Sequence, residues 1–215
     1  LASLANGISK AKNLLISEDV IAAINAIKKL GIKSIIRNDE CKIFGKGING
    51  YKYVKNLTIN AKNSGTLGRL ILGFLVNSPY PIKIIGDKSL SKRDFKRISD
   101  PLSKFGVNFK LRKNKFLPLK IYNSSKLVPI KYNENKGSAQ CKSSIIFGAM
   151  RTHGTTIIKA KKSRNHTELL LKHLNLPIKI KNKKNFDLIE INKVKKINPT
   201  NYKIPADISS SAFFI

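Results

Sequence analysis

The chain has 215 residues, 41% of them hydrophobic, so it is long enough to bury the core of one large domain or two small ones. Forty-two Lys and Arg residues against 12 Asp and Glu give a formal net charge of +30. The basic residues are spread along the chain and Trp is absent. This pattern favours compositional bias with a generally cationic surface over a dedicated nucleic-acid-binding face.

Cysteine content and hydropathy indicate the cellular environment in which the chain is expected to fold. Cys41 and Cys141 cannot staple a domain of this size and lack the spacing of a metal site, so a reducing, cytoplasmic setting is favoured. No segment reaches the roughly 20 apolar residues of a membrane span, and no membrane partner is expected. The chain starts at Leu1 without Met and ends in an apolar segment, 212–215, so we expect a fragment.

The first predicted unit combines a strand, a helix and a hairpin. Residues 8–15 predict a strand, and Ser17 is the expected N-cap of a helix whose apolar residues follow helical spacing up to Gly31. Residues 32–36 and 41–44 then predict a hairpin.

A buried helix is predicted to begin at Asn63 or Ser64, because the run 70–76 is apolar throughout. The first turn of a helix has unpaired backbone N–H groups and a partial positive charge. Gly65 leaves room where an anion would approach. The sequence therefore predicts phosphate or carboxylate binding here, with further donors on Ser64, Thr66 and Arg69.

Two further units follow at intervals of about 70 residues, a spacing typical of internal repeats. The predicted strands are 81–86, 107–111, 117–121, 155–159, 178–180 and 188–191, with helices ending at Phe105 and spanning 168–174, and a second buried helix after Gln140. A strand–helix–strand–helix–strand–strand (βαβαββ) unit that occurs three times predicts an α/β domain. A doubly wound nucleotide-binding sheet is not favoured, since no Gly-rich loop joins a first strand to a helix in the required way.

Seven motifs, in this order, resemble those of the 3-phosphoshikimate 1-carboxyvinyltransferases (EPSP synthases), an enolpyruvyl transferase family. They are Ser17-Glu18-Asp19, Asn63-Ser64-Gly65-Thr66 with Arg69, Gly86-Asp87 with Ser89-Leu90 and Arg93, Asp100-Pro101-Leu102 with Phe105-Gly106, Gly137-Ser138-Ala139-Gln140 with Lys142-Ser143, Ser163-Arg164 with His166-Thr167-Glu168, and Pro205-Ala206-Asp207 with 209–214. The resemblance implies an enolpyruvyl-transferase lobe, an inside-out α/β barrel of three βαβαββ repeats around buried helices. Residues 1–204 would form this single lobe, its first repeat truncated at the N-terminus, and 205–215 the crossover to a second lobe.

The implied reaction transfers the enolpyruvyl group of phosphoenolpyruvate to the 5-hydroxyl of shikimate 3-phosphate, with release of phosphate, in chorismate biosynthesis. Two anionic substrates call for Arg, Lys and helix N-termini, and neither a metal nor another cofactor is implied. By resemblance, the residues that bind phosphoenolpyruvate are Asn63, Gly65, Thr66, Arg69, Arg93 and Gln140. Those that bind shikimate 3-phosphate are Ser138, Ala139, Gln140, Ser163 and Arg164. Asp207 would act at the hinge or through other residues.

The resemblance also sets expectations for the chain by itself. The residues that transfer protons belong to segments outside these 215 residues, so no catalytic residue is assigned here. We expect no measurable transferase activity from the chain alone and at most weak binding of shikimate 3-phosphate. The complete enzyme is expected to be a cytoplasmic monomer. Gly65 further predicts sensitivity to glyphosate, because tolerant family members often have Ala at this position.

Three alternatives remain open at this stage. The first is the cell-wall enolpyruvyl transferase that acts on UDP-N-acetylglucosamine, although the motifs around Ser138 and Arg164 favour the shikimate enzyme. The second is a basic nucleic-acid-binding module, and the third is an inactive structural remnant. Single motifs also have simpler readings: Asn63-Ser64 as an ordinary helix cap, Ser163-Arg164 as a helix cap with a surface arginine, Arg93 as a solvated charge and Cys141 as core filler. His166 and His173 are read as a solvated helix face.

Overall fold

The computed structural model describes residues 1–122 and 126–205, which form two compact units. Leu1–Lys52 and the segment from Lys196 onward form unit 1, and Tyr53–Lys195 forms unit 2. The boundaries expected from the resemblance, a lobe over 1–204 and a crossover over 205–215, stay a prediction. Most of that crossover, with Asp207, lies outside the described residues.

The described residues contain five α-helices and twelve strands. The helices are α1 (Glu18–Lys29), α2 (Gly65–Phe74), α3 (Lys96–Ser103), α4 (Ala139–Ala149) and α5 (His166–His173). The strands are β1 (Asn6–Lys12), β2 (Lys33–Arg37), β3 (Glu40–Lys46), β4 (Thr58–Asn60), β5 (Ile82–Ile85), β6 (Asn108–Arg112), β7 (Phe116–Tyr122), β8 (Lys131–Glu134), β9 (Thr155–Lys161), β10 (Ile178–Asn182), β11 (Phe186–Asn192) and β12 (Asn201–Lys203).

Unit 2 contains two copies of the predicted βαβαββ unit. The first runs β4-α2-β5-α3-β6-β7 and the second β8-α4-β9-α5-β10-β11. Their sheets have the same topology, with orders β4-β5-β7-β6 and β8-β9-β11-β10. In each, the first two strands are parallel and the remaining pairs antiparallel. The prediction of a repeated mixed α/β unit is confirmed.

Unit 1 builds the same sheet from two distant parts of the chain. Its strand order is β12-β1-β3-β2, and β12 pairs with β1 in parallel, with Lys10 opposite Asn201. Strand β12 therefore takes the position that β4 and β8 occupy in the other two sheets. The sequence analysis identified the first repeat as incomplete but not the strand that completes its sheet.

Helix α1 has the predicted boundaries. The Ser17 side chain accepts a hydrogen bond from the backbone N–H of Val20 at 3.4 Å, and Glu18 and Asp19 lie in the positive first turn. The chain reverses at Gly31, whose φ of +80° suits glycine at the end of a helix.

Helices α2 and α4 are buried and pack closely against each other. A Cβ atom built on Gly73 of α2 would lie 2.2 Å from the carbonyl oxygen of Ser144 on α4. The rings of Phe74 and Phe147 stack with their centroids 4.2 Å apart. Ser144 Oγ also donates a hydrogen bond of 2.9 Å to the Arg69 carbonyl oxygen. These contacts hold the two helices in one relative position.

None of the described helices has both the length and the apolar character that a membrane crossing requires.

Candidate anion-binding site at two helix N-termini

The N-termini of α2 and α4 are capped in the same way. Ser64 Oγ accepts from the N–H of Leu67 at 3.1 Å, and Ser138 Oγ accepts from the N–H of Cys141 at 3.3 Å. Each cap satisfies one of the first backbone donors and leaves others of the first turn available. The cap predicted at Asn63-Ser64 is therefore present, at Ser64, whereas the cap predicted at Ser163 is not, because α5 begins after Asn165.

Gln140 joins the two N-termini. Its Nε2 donates to Thr66 Oγ1 at 3.1 Å, and its Oε1 accepts from Nη1 of Arg69 at 2.6 Å. Three of the predicted phosphoenolpyruvate-binding residues thus form one hydrogen-bonded chain across the two helices. The segments around Gly65 and Gln140, which the resemblance assigns to one substrate, therefore meet.

Arg93 extends this group on the other side of α2. It follows a 3-10 turn, Leu90–Lys92, whose first residue donates its N–H to Asp87 Oδ1 at 2.7 Å. Its Nη2 donates to Asn63 Oδ1 at 3.4 Å. A Cβ atom built on Gly65 would lie 3.1 Å from Arg93 Nη1. The predicted residues Asn63, Gly65 and Arg93 are therefore adjacent.

Positive charge is concentrated around Arg69. Its side chain is buried, with 7% exposed, and its guanidinium carbon lies 5.5 Å from the centroid of the Phe95 ring. Burial, followed by the charges of Arg97 and Arg93, lowers the pKa of Arg69 to about 10, so it remains protonated at neutral pH. This concentration of cations, which the charge of Asp94 offsets only in part, favours the binding of an anion.

A cavity next to Gln140 brings the predicted shikimate 3-phosphate residues together in part. Ala139 and Arg164 line it, with Gln140 and Thr66. Ser138 precedes Ala139 as the cap of α4. Ser163 Oγ is buried and has no hydrogen-bond partner among the described residues, but Ser163 does not line this cavity.

Asp94, which directly follows Arg93, has a clear local role. Its Oδ1 accepts from the backbone N–H groups of Lys96 at 2.8 Å and Arg97 at 3.4 Å, so it supports the start of α3. Asp94 thus supports the path of the chain from Arg93 into α3.

The remaining candidates fit their simpler readings. His166 and His173 are both exposed. Cys141 is buried, and burial, followed by the charge of Glu134, raises the pKa of its thiol to about 12. Across residues 1–122 and 126–205, no cluster of three or more His, Cys, Asp or Glu side chains is arranged to hold a metal ion.

The sequence analysis missed Arg97 and a buried ion pair between Lys142 and Glu168. Arg97 is one of only seven arginines in the chain and lies four residues after Arg93. This spacing could have indicated that Arg97 lies near the anion site. The ion pair has an Nζ–Oε1 distance of 2.6 Å. Lys142 and Glu168 stand in the motifs quoted above, but nothing in the sequence shows that they meet.

Comparisons with known proteins identify the family of the chain. The family model described as EPSP synthase (3-phosphoshikimate 1-carboxyvinyltransferase) matches residues 1–215. A 3-phosphoshikimate 1-carboxyvinyltransferase of Caldicellulosiruptor bescii is 44% identical over 100% of this chain and 49% of its own length. The corresponding protein of Leuconostoc mesenteroides is 35% identical, over 99% of this chain and 48% of its own.

A solved structure shows the same fold. EPSP synthase from Acinetobacter baumannii superimposes with a TM-score of 0.89 at 31% identity, covering 99% of this chain and 47% of that one. The chain spans about half the length of the curated relatives it matches. Because the family model matches from the first residue to the last, the chain belongs to the EPSP synthase family.

Proposed function

We propose that this chain supplies the phosphoenolpyruvate site and part of the shikimate 3-phosphate site of a 3-phosphoshikimate 1-carboxyvinyltransferase. The observation that carries the proposal is the meeting of two helix N-termini at Gln140, with Arg69, Arg93 and Arg164 nearby. Both substrates are phosphate and carboxylate anions, which helix N-termini and guanidinium groups bind well.

Phosphoenolpyruvate would lie at the start of α2. Arg69 and Arg93 both point their Nη1 atoms at the space above Gly65, 3.4 and 3.1 Å from where a Cβ atom would stand. Their N–H groups can bind two oxygens of one anion, and backbone N–H groups of the first turn add further donors. Asn63 would orient Arg93, and Thr66 would orient Gln140.

Shikimate 3-phosphate would lie at the start of α4, where Ser138 and Ala139 offer backbone N–H groups. Arg164 would bind its phosphate group from the far side of the cavity, together with the unpartnered hydroxyl of Ser163. Gln140 lies between the two substrates and can contact both.

This arrangement binds and aligns two anions, and it stabilises the negative charge of the phosphate that leaves in the elimination step. We assign no proton-transfer residue within the chain. Because the chain spans about half the length of its relatives, we propose that it does not turn over substrate by itself. The whole enzyme is proposed to be a cytoplasmic monomer that needs no metal and binds no nucleic acid.

Phosphate release by the full-length protein, with both substrates present, tests the proposal. Arg164→Met should raise the KM for shikimate 3-phosphate about 10- to 100-fold, since a hydrogen bond to a charged group contributes about 1.5–3 kcal/mol. Arg37→Met is the matched control, because Arg37 is exposed and lies in unit 1. A full-length protein that releases no phosphate would contradict the proposal, as would a preference for UDP-N-acetylglucosamine as acceptor.

A further inference from the structure

We propose that Lys142 and Glu168 are positioning residues for shikimate 3-phosphate. Their buried ion pair fixes the start of α5, and with it Arg164, against the start of α4. This inference rests on the proposed function, which places the sugar phosphate between the same two segments.

Two adjacent contacts join the first turns of α4 and α5. Lys142 Nζ lies 2.6 Å from Glu168 Oε1, and Ser143 Oγ lies 2.7 Å from Thr167 Oγ1. Consecutive residues of one helix therefore bind consecutive residues of the other. Both side chains of the ion pair are buried, Lys142 completely and Glu168 with 3% exposed.

Both partners lie close in sequence to the proposed ligands. The backbone N–H of Lys142 donates to the Ser138 carbonyl oxygen at 3.0 Å, so Lys142 is one helical turn from the cap of α4. Glu168 lies in the first turn of α5, directly after the segment that carries Arg164. A shift of α5 relative to α4 would therefore move Arg164 away from Ser138.

Stability alone does not explain this ion pair. Transfer of two charges into the protein interior has a large desolvation cost, and apolar residues of similar size often give an equally stable fold. The two charges are also incompletely satisfied, because Glu168 Oε2 and Lys142 Nζ are both buried without a well-aligned hydrogen bond among the described residues. An ion pair of fixed geometry does, however, define the distance between two helices more narrowly than apolar packing does.

The test replaces both charges together in the full-length enzyme, as Lys142→Met with Glu168→Leu. This choice avoids a single unpaired charge in the interior, which would disrupt folding. We expect a folded enzyme whose KM for shikimate 3-phosphate is raised about 10- to 100-fold, the range that displacement of a binding group by about 1 Å produces. The KM for phosphoenolpyruvate should change little, because Arg69 and Arg93 meet at Gly65, at the start of α2.

Two further variants complete the design. Glu168→Gln keeps the size of the side chain and one oxygen for Lys142 but removes the negative charge, so it should be less stable than the double variant and shift the same KM in the same direction. Lys12→Met with Glu40→Leu removes an exposed ion pair of unit 1 and should leave both KM values unchanged. Wild-type KM values for shikimate 3-phosphate in both Glu168 variants would overturn the proposal.

A crystal structure of the double variant gives a second readout that does not depend on turnover. We expect the start of α5 to move relative to Ser138, with Arg164 displaced from the cavity. An unchanged position would overturn the positioning role. Failure of the proposed function is a different result, since the wild-type enzyme would then release no phosphate from these substrates.

Discussion

Arg69 fixes the orientation of the Gln140 side chain. Its Nη1 donates to Oε1 of Gln140 at 2.6 Å, which leaves Nε2 to donate to Thr66 at 3.1 Å. The amide thus has one lone pair on Oε1 and one hydrogen on Nε2 left for a ligand. A change at Gln140 should therefore also alter how strongly Arg69 attracts an anion.

Gln140→Glu should weaken the binding of phosphoenolpyruvate. A carboxylate in this place would form a charge-assisted pair with Arg69 and compete with the anionic substrate for its charge. The KM for phosphoenolpyruvate in the full-length enzyme is expected to rise about 10- to 100-fold, as for loss of a charged hydrogen bond. Steady-state kinetics at several salt concentrations will measure it.

Gln140→Met separates charge from shape in this experiment. Methionine has a similar length, makes neither hydrogen bond and adds no charge. It should raise the KM less than Gln140→Glu does. Equal KM values for the two variants would show that lost hydrogen bonds, rather than neutralisation of Arg69, cause the effect.

The fold was largely predictable from local pattern and repetition. Ser17, Ser64 and Ser138 all cap the helices that their positions predict, and the strands of the later repeats lie close to the predicted ranges. Strand β12 was not predictable in the same way. Its partner β1 lies about 190 residues away in the sequence, and a three-residue strand has no period of its own.

The residues of the candidate site could be predicted from the sequence, but the contacts between them could not. The resemblance placed Thr66, Arg69 and Gln140 in one group, and the structure brings them into hydrogen-bonding distance. The pairing of Lys142 with Glu168 depends on how two helices pack, which spacing along one chain does not specify. Asp207, the remaining candidate, lies outside the described residues.

Gly65→Ala should change inhibitor binding more than substrate binding. The new methyl group would lie 3.1 Å from Nη1 of Arg93 and 3.4 Å from Nη1 of Arg69, both at the ends of flexible side chains. These ends can move by a few tenths of an ångström, so the fold should persist. We expect a modest rise in the KM for phosphoenolpyruvate and a larger rise in the inhibition constant of glyphosate.

The measurement is the ratio of the inhibition constant of glyphosate to the KM for phosphoenolpyruvate in the full-length enzyme. Gly68→Ala is a control on the same helix, since its methyl group would meet the Phe95 ring at 3.2 Å rather than a guanidinium group. The idea fails when wild type and Gly65→Ala are inhibited equally.

Gly73→Ala should destabilise the chain because it separates α2 from α4. Its Cβ atom would lie 2.2 Å from the backbone oxygen of Ser144, which cannot move without its helix. Overpacking of this kind costs about 1–3 kcal/mol or more, against a helix-propensity gain of about 1 kcal/mol for Gly to Ala. The midpoint of unfolding in urea should therefore fall.

Gly148→Ala on α4 is the matched control for Gly73→Ala. Its nearest contacts would be side-chain atoms of Phe105 at 3.2 Å and Leu102 at 3.3 Å, which can adjust. Its loss of stability should be the smaller of the two. The reverse order would mean that backbone contact between α2 and α4 is not the limiting feature of this core.

Cys141 should be unreactive in the native protein. Burial raises the pKa of its thiol to about 12, and its Sγ donates to the Arg97 carbonyl oxygen at 3.4 Å. Since the thiolate is the reactive form, a Cys41→Ser variant should show no labelling by a disulfide reagent at pH 8 and one labelled thiol when unfolded in guanidinium.

The raised pKa of the Cys141 thiol should also make the stability of the protein depend on pH. The folded state keeps this proton above pH 9, where the unfolded chain begins to lose it, so the free energy of unfolding should fall from about pH 9 toward pH 12. Complete labelling of the native variant at pH 8 would contradict both expectations, because it would require a thiol that solvent reaches.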